Sequence, residues 1–70
     1  MTLTDLRYLV TLAELRHFAK AAAACFVSQP TLSIAIKKLE DELDITLFER
    51  HRHELLVTPA GERIIQQAKV

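Results

Sequence analysis

Residues Ser28 to Leu43, SQPTLSIAIKKLEDEL, constrain the fold of this chain more than any other stretch. Ser28 suits an N-cap, because its hydroxyl can accept a backbone N–H that the first turn would leave unpaired. Pro30 falls in that first turn, where a missing N–H costs nothing. Leu32, Ile36, Leu39 and Leu43 then recur at steps of four, three and four, the spacing of a buried helical stripe. At roughly 100° per residue, Pro30, Ile34, Lys37, Lys38 and Asp41 face the other way, with Ser33 at the margin. Such a helix is roughly 22 Å long at 1.5 Å per residue. Small polar groups at its start and lysines one to two turns later fit it to a DNA major groove. The spacing therefore predicts a recognition helix over residues 28–43, with the rest of the chain as its support.

Composition limits what that support can be. Seventy residues make one small domain with a modest core, and half of them are apolar. One Gly and no Trp fit a compact helical chain rather than a disordered one. Nine basic and nine acidic residues leave no formal charge, which weighs against strong DNA binding by an isolated copy. The charges are segregated, however. Glu40, Asp41, Glu42 and Asp44 gather at one end of the central helix, while the basic residues are spread from Arg7 to Lys69. The lone Cys25 excludes an intrachain disulfide and a cysteine-based zinc site, and is expected to be a small buried hydrophobe. No apolar run is long enough to span a bilayer, and the start lacks the pattern of a secretion signal. A cytoplasmic protein with no membrane contact is the expectation. The helical pattern runs on to Val70, as expected for a piece of a longer protein.

In chain order, Met1 to Leu15 reads as a first helix, with Thr2 and Asp5 as a capping box and Leu6, Leu9, Val10 and Ala13 as its apolar stripe. Arg16 and His17 fall at its C-terminal end, where positive charge suits the helix dipole. His17 to Phe26 reads as a short second helix that packs through Phe18, Ala22 and Cys25, with Ala21 beside them. So few residues separate it from Ser28 that the two helices must turn sharply, the helix-turn-helix pattern. Asp44 stands where a left-handed residue often ends a helix. Leu47–Arg50 and Leu55–Val57 have strand character and predict a short hairpin, with Leu47, Phe48, Leu55 and Val57 packed inward. Arg50, His51, Arg52 and His53 would form its basic tip. Thr58 and Pro59 open a last helix with Ala60, Ile64, Ile65 and Ala68 as its stripe and Gly61 as a weak spot. The expected fold is mostly α, a winged helix-turn-helix with a three-helix core, a β-hairpin wing at residues 50–54 and a C-terminal helix.

The same residues resemble the N-terminal DNA-binding domain of LysR-type transcriptional regulators. The match runs through Leu6-Arg7-Tyr8-Leu9, His17-Phe18, Ala21-Ala22, Val27-Ser28-Gln29-Pro30-Thr31-Leu32-Ser33, Leu39-Glu40, Leu43, Leu47-Phe48-Glu49-Arg50 and Thr58-Pro59-Ala60-Gly61. It covers nearly the whole chain. Leu6 to Val10, Cys25 and Lys38 to Leu43 look most like the peroxide-sensing branch of that family. The resemblance implies a DNA-binding domain over residues 1–58 and the start of a linker and dimerisation helix over 59–70. It also implies an effector domain beyond, and a homodimer or homotetramer assembled through the linker helix. Peroxide-reactive cysteines would then lie outside these seventy residues.

Carried over residue by residue, the resemblance implies that Gln29 reaches a base edge, since its amide can pair bidentately with adenine. Pro30 and Thr31 would touch sugar, phosphate or a thymine methyl, and Ser33 a base or phosphate. Lys37 and Lys38 would contact phosphates or a guanine, and Arg50 and Arg52 would serve the wing. Plainer roles stay open. Gln29 also suits a solvated helix start, Lys38 an ordinary surface lysine, and Arg50 a carboxylate pair that holds the wing. Three positions depart from the family pattern. Ile34 stands where Arg is common, Ala35 where Gln is common, and Asp44 where Gly is usual. Ile34 lies opposite the core stripe, where it can meet thymine methyls in the groove. A tolerated surface isoleucine is the plainer alternative.

Catalysis has no support here. The chain has no Gly-rich phosphate loop and no nucleophile beside a base, so no enzyme and no cofactor are expected. His51 and His53 lack a third ligand, so no metal site is expected either. The competing reading is a helical protein–protein interaction module whose face around Ile34 docks a partner helix. Salt separates the two, because DNA binding weakens steeply with ionic strength and an apolar contact does not.

Overall fold

The helices begin and end where side chains and left-handed residues can satisfy their free backbone groups. A computed structural model describes residues 1–68, in the order α1 (Leu3–Leu15), α2 (Phe18–Ala24), α3 (Gln29–Leu43), β1 (Phe48–His51), β2 (Glu54–Val57) and α4 (Pro59–Ala68). Residues 69–70, the end of the expected linker segment, lie outside the described residues. The architecture is the expected winged helix-turn-helix: three core helices, an antiparallel two-stranded wing and a closing helix.

Thr2 is extended and caps α1, so that helix starts at Leu3 rather than Met1. The Thr2 hydroxyl accepts the Asp5 N–H and the Asp5 carboxylate accepts the Thr2 N–H, both at 3.1 Å, the reciprocal capping box. Arg16 is not in the last turn. It takes a left-handed conformation (φ 51°) and its N–H closes the helix on the Leu12 carbonyl at 2.7 Å. The second helix is shorter than expected at both ends. His17 is its N-cap, with Nδ1 accepting the Lys20 N–H at 3.2 Å. At the other end Phe26 is left-handed (φ 59°), and the N–H groups of Phe26 and Val27 donate to the carbonyls of Ala23 and Ala22. That is the Schellman pattern, which ordinarily uses Gly.

Phenylalanine is a costly choice for that position. Its Cβ crowds the following carbonyl in the left-handed region, and 88% of the residue is exposed, so packing returns little. Phe26→Gly should therefore stabilise the domain by about 0.5 kcal/mol, the strain relieved less the extra freedom of an unfolded Gly. A thermal melt checks this, and an unchanged or lower midpoint would contradict it.

The third helix follows its sequence closely. Ser28 Oγ accepts the Thr31 N–H at 3.2 Å, Leu32, Ile36 and Leu39 are buried, and Asp44 ends the helix in the left-handed region (φ 54°). The core has its fully buried side chains in Leu9, Leu12, Leu32, Leu39, Leu47 and Ile65, so every helix except α2 and the entry to the wing contribute. Ala21 and Ala22 of α2 complete it, and their small size lets the neighbouring helices approach. In α1 the buried centre is Leu9 with Leu12, while Leu6, Val10 and Ala13 flank it half-buried. The expected stripe omitted Leu12 because it assumed packing on one side. In the fold α1 touches α2, α3 and α4, which takes a broader face.

The wing pairs Phe48 with Val57, Glu49 with Leu56, Arg50 with Leu55 and His51 with Glu54. The second strand ends at Val57 as expected and begins one residue earlier, at Glu54, opposite His51. The first lies one residue later than expected, because Leu47 turns into the core and donates its N–H to a side chain rather than to β2. That side chain is Glu40 of α3, whose carboxylate accepts from Leu47 N–H at 2.7 Å and Phe48 N–H at 3.4 Å.

Gly61 is a close-packing requirement rather than a weak spot. Thr58 caps α4 through the Gly61 N–H (2.9 Å) and also donates to the carbonyl of Thr46, which draws the helix start onto the chain before β1. A Cβ at Gly61 would lie 2.5 Å from the Leu47 carbonyl oxygen. Gly61→Ala should cost about 1.5 kcal/mol by forcing the two backbones apart, despite its better helix propensity. Chemical denaturation checks this, and a neutral or stabilising result would refute it.

Candidate nucleic-acid interface

The axes of α2 and α3 differ by 100°, within the range of a helix-turn-helix. With Leu32, Ile36 and Leu39 buried, α3 turns Gln29, Pro30, Thr31, Ile34, Lys37 and Lys38 outward. Ser33 lies half-buried at the margin, as its place on the helix predicts. Ile34 is 61% exposed, a large apolar side chain on the face that carries Gln29, Thr31, Lys37 and Lys38. The cap orders the start of this face. Ser28 Oγ lies 2.8 Å from Thr31 Oγ1, so the Thr31 hydroxyl already has a protein partner.

Arg52 and His53 form the two-residue turn of the wing. Of the two, Arg52 alone has positive φ (58°), the sign pattern of a type II′ turn and a position that favours Gly. An arginine there holds a charged, exposed side chain at the tip.

Three of the expected site residues, Gln29, Arg50 and Arg52, line one open cleft of about 300 Å³ between the start of α3 and the wing. Arg16, His17 and Phe18 line it as well. These three are far from Arg50 in sequence, and nothing in their own local pattern marks them as part of the site. The left-handed turn at Arg16 and the cap at His17 bring them there. Among the described residues Arg50 has no carboxylate partner of the kind considered for it. Its guanidinium carbon lies over the Phe18 ring, 5.2 Å from the centroid.

Lys37 and Lys38 are apart from that cleft. Lys37 lies 3.7 Å from Asp41 in an exposed pair one turn away, and borders a shallow surface formed with Glu40, Asp41 and Asp44. Such a pair contributes little to stability, so a phosphate can compete for the lysine. Among the described residues Lys38 has no ion pair. The acidic end of α3 and its exposed N-terminal half are thus opposite ends of one helix. The neutral total of the chain conceals a polar gradient along it. No single described helix is long and apolar enough to cross a membrane.

A model of the bacterial regulatory helix-turn-helix proteins of the lysR family matches residues 3–62. The DNA-binding transcriptional dual regulator OxyR of Escherichia coli K12 is 55% identical over 69 residues, which are 99% of this chain and 23% of that protein. A full-length OxyR variant from Pseudomonas aeruginosa has the same fold, with a TM-score of 0.92 and 58% identity over 99% of this chain and 23% of the other. The DNA-binding domain of BenM, in its complex with benA site 1 DNA, gives a TM-score of 0.93 at 42% identity, covering 99% of this chain and 78% of that one. The chain therefore spans about a quarter of the length of the curated relatives it matches.

Proposed function

The chain belongs to the lysR family of bacterial regulatory helix-turn-helix proteins and is a DNA-binding domain of that family; from this premise we propose that it reads duplex DNA with the N-terminal half of α3 in the major groove and the wing against the backbone or minor groove. The observation that carries the reading is the outward face of α3, which begins at Gln29, Pro30 and Thr31 and is bordered by Arg50 and Arg52 across the cleft. Gln29 supplies the base-reading amide, and Lys37, Lys38, Arg50 and Arg52 supply phosphate contacts. Pro30, Thr31 and Ser33 lie close to the backbone of the same half-site. That the similar BenM domain forms a complex with benA site 1 DNA supports duplex DNA as the partner.

Ile34 adds a preference of its own. Its exposed methyl groups favour a thymine under the first turns of α3, and its short side chain gives up the guanine or phosphate contact an arginine would make. Ile34→Arg should shift selection away from T or A at one position and tighten binding through the added charge. Identical base preferences in both proteins would eliminate this role.

The longer regulator of which this domain is a part would act in the cytoplasm, as a dimer or tetramer joined through the helix that α4 begins. It would bind an interrupted palindrome, because pairing two near-neutral modules raises affinity by effective concentration. Hydrogen peroxide is the signal we propose for it, on the strength of the 55% identity to hydrogen peroxide-inducible genes activators.

The test is selection of a random duplex pool on this chain at low salt, with sequencing of the bound fraction. Enrichment of a short motif, lost as salt rises, is the expected result. Salt-insensitive binding or none would move the reading to a protein-interaction module.

A further inference from the structure

Arg50 of the wing lies against an aromatic ring. It shares a face of β1 with Phe48, which is buried, and is opposite Leu55, also buried, so its strand position directs it toward the core rather than away from it. It nevertheless remains exposed, and its guanidinium lies over Phe18 at the start of α2. Phe18 itself is half-buried and packs against the core cluster, so the ring is fixed from behind. Glu49 and Glu54 are its close acidic neighbours on the hairpin, yet among the described residues Arg50 forms no ion pair.

We propose that Phe18 is a positioning residue for DNA binding, whose ring holds the Arg50 guanidinium across the cleft beside Gln29 and Arg52 so that its N–H edge is ready for a backbone phosphate. The proposal rests on the DNA-binding reading above. Its physical basis is the division of labour within a guanidinium. The ring attracts the guanidinium charge without occupying a hydrogen-bond donor, and among the described residues no hydrogen bond takes any of its five N–H groups. A carboxylate partner would do the opposite, occupying the donors and cancelling the charge that a phosphate needs. A ring platform also removes side-chain freedom before binding, so less is lost when the bidentate phosphate contact forms. Phe18 and Arg50 are far apart in sequence, and only the docking of the wing beside α2 makes them a unit.

The experiment is a double-mutant cycle on this chain with a duplex containing the selected motif, measured over a range of salt. Phe18→Leu keeps an apolar side chain to pack against the core and removes the ring. It should weaken binding by about two- to five-fold. In an Arg50→Ala background the same substitution should change affinity by less than about 1.5-fold, since nothing remains to be positioned. Phe18→Tyr, which keeps the ring, should restore wild-type binding. Thermal melts accompany each variant, because a merely structural role would lower the midpoint and weaken binding equally with or without Arg50. Equal losses in both backgrounds, or no loss in Phe18→Leu while Arg50→Ala binds poorly, would overturn the positioning role and leave the DNA-binding reading intact. Absence of binding by the wild-type chain would instead refute the reading on which the proposal rests, and this role with it.

Discussion

Glu40→Ala is expected to destabilise the domain by about 2–3 kcal/mol, the scale of a lost hydrogen bond to a charged group whose partner is then unpaired. The carboxylate accepts from Leu47 N–H at 2.7 Å and Phe48 N–H at 3.4 Å, and Leu47 is fully buried, so water cannot readily replace the acceptor. A domain of this length has only about 4–10 kcal/mol in total, and the loss should lower the melting midpoint by about 10–20 °C. Glu40→Gln keeps an acceptor oxygen without the charge and should cost about 1 kcal/mol. Asp41→Ala, one residue on, should change stability by no more than about 0.5 kcal/mol, since its exposed pair with Lys37 at 3.7 Å is screened by solvent. Amide exchange at Leu47 should quicken in Glu40→Ala as the entry to the wing loosens. Equal melting midpoints for the Glu40 and Asp41 variants would show that the carboxylate does not tie the wing to α3.

Gln29→Ala should abolish base preference at one position of the selected motif, a loss of about 1–3 kcal/mol in discrimination, or about five- to 150-fold. Stability should stay within about 0.5 kcal/mol of wild type, because Gln29 is exposed and the helix is capped by Ser28, not by Gln29. The salt dependence of binding should also be unchanged, since the amide carries no charge and releases no counterion. Lys38→Ala provides the converse control. It should weaken binding to every sequence alike and reduce the salt slope by about one. A Gln29→Ala protein that selects the wild-type motif would place base readout elsewhere on α3.

Glu40 and Gln29 differ in how much of their place in the fold the sequence carries. The exposed position of Gln29 at the start of α3 was legible in the sequence. It follows a cap and opens an amphipathic helix, local features read along a few residues. The same holds for the capping box at Thr2, the caps at Ser28 and Thr58, the left-handed end at Asp44, and the buried stripe of α3. Glu40 was not legible. In the sequence it is one member of an acidic cluster with Asp41, Glu42 and Asp44, and only in the fold does it become the acceptor for the start of β1.

The order of elements, the choice of central helix and its outward residues were therefore determined by the sequence itself, because helix periodicity and capping act between residues a few positions apart. The tertiary structure alone decided which buried face α1 presents, why position 61 must be Gly, and which residues join Gln29 at the cleft. Leu12 is buried because α1 meets three helices at once. Gly61 is required because another segment's carbonyl approaches it. Arg16 and Phe18 belong with Arg50 because the wing folds back beside α2. Each of these depends on contacts between distant segments, and a local pattern carries no record of which distant segment will arrive.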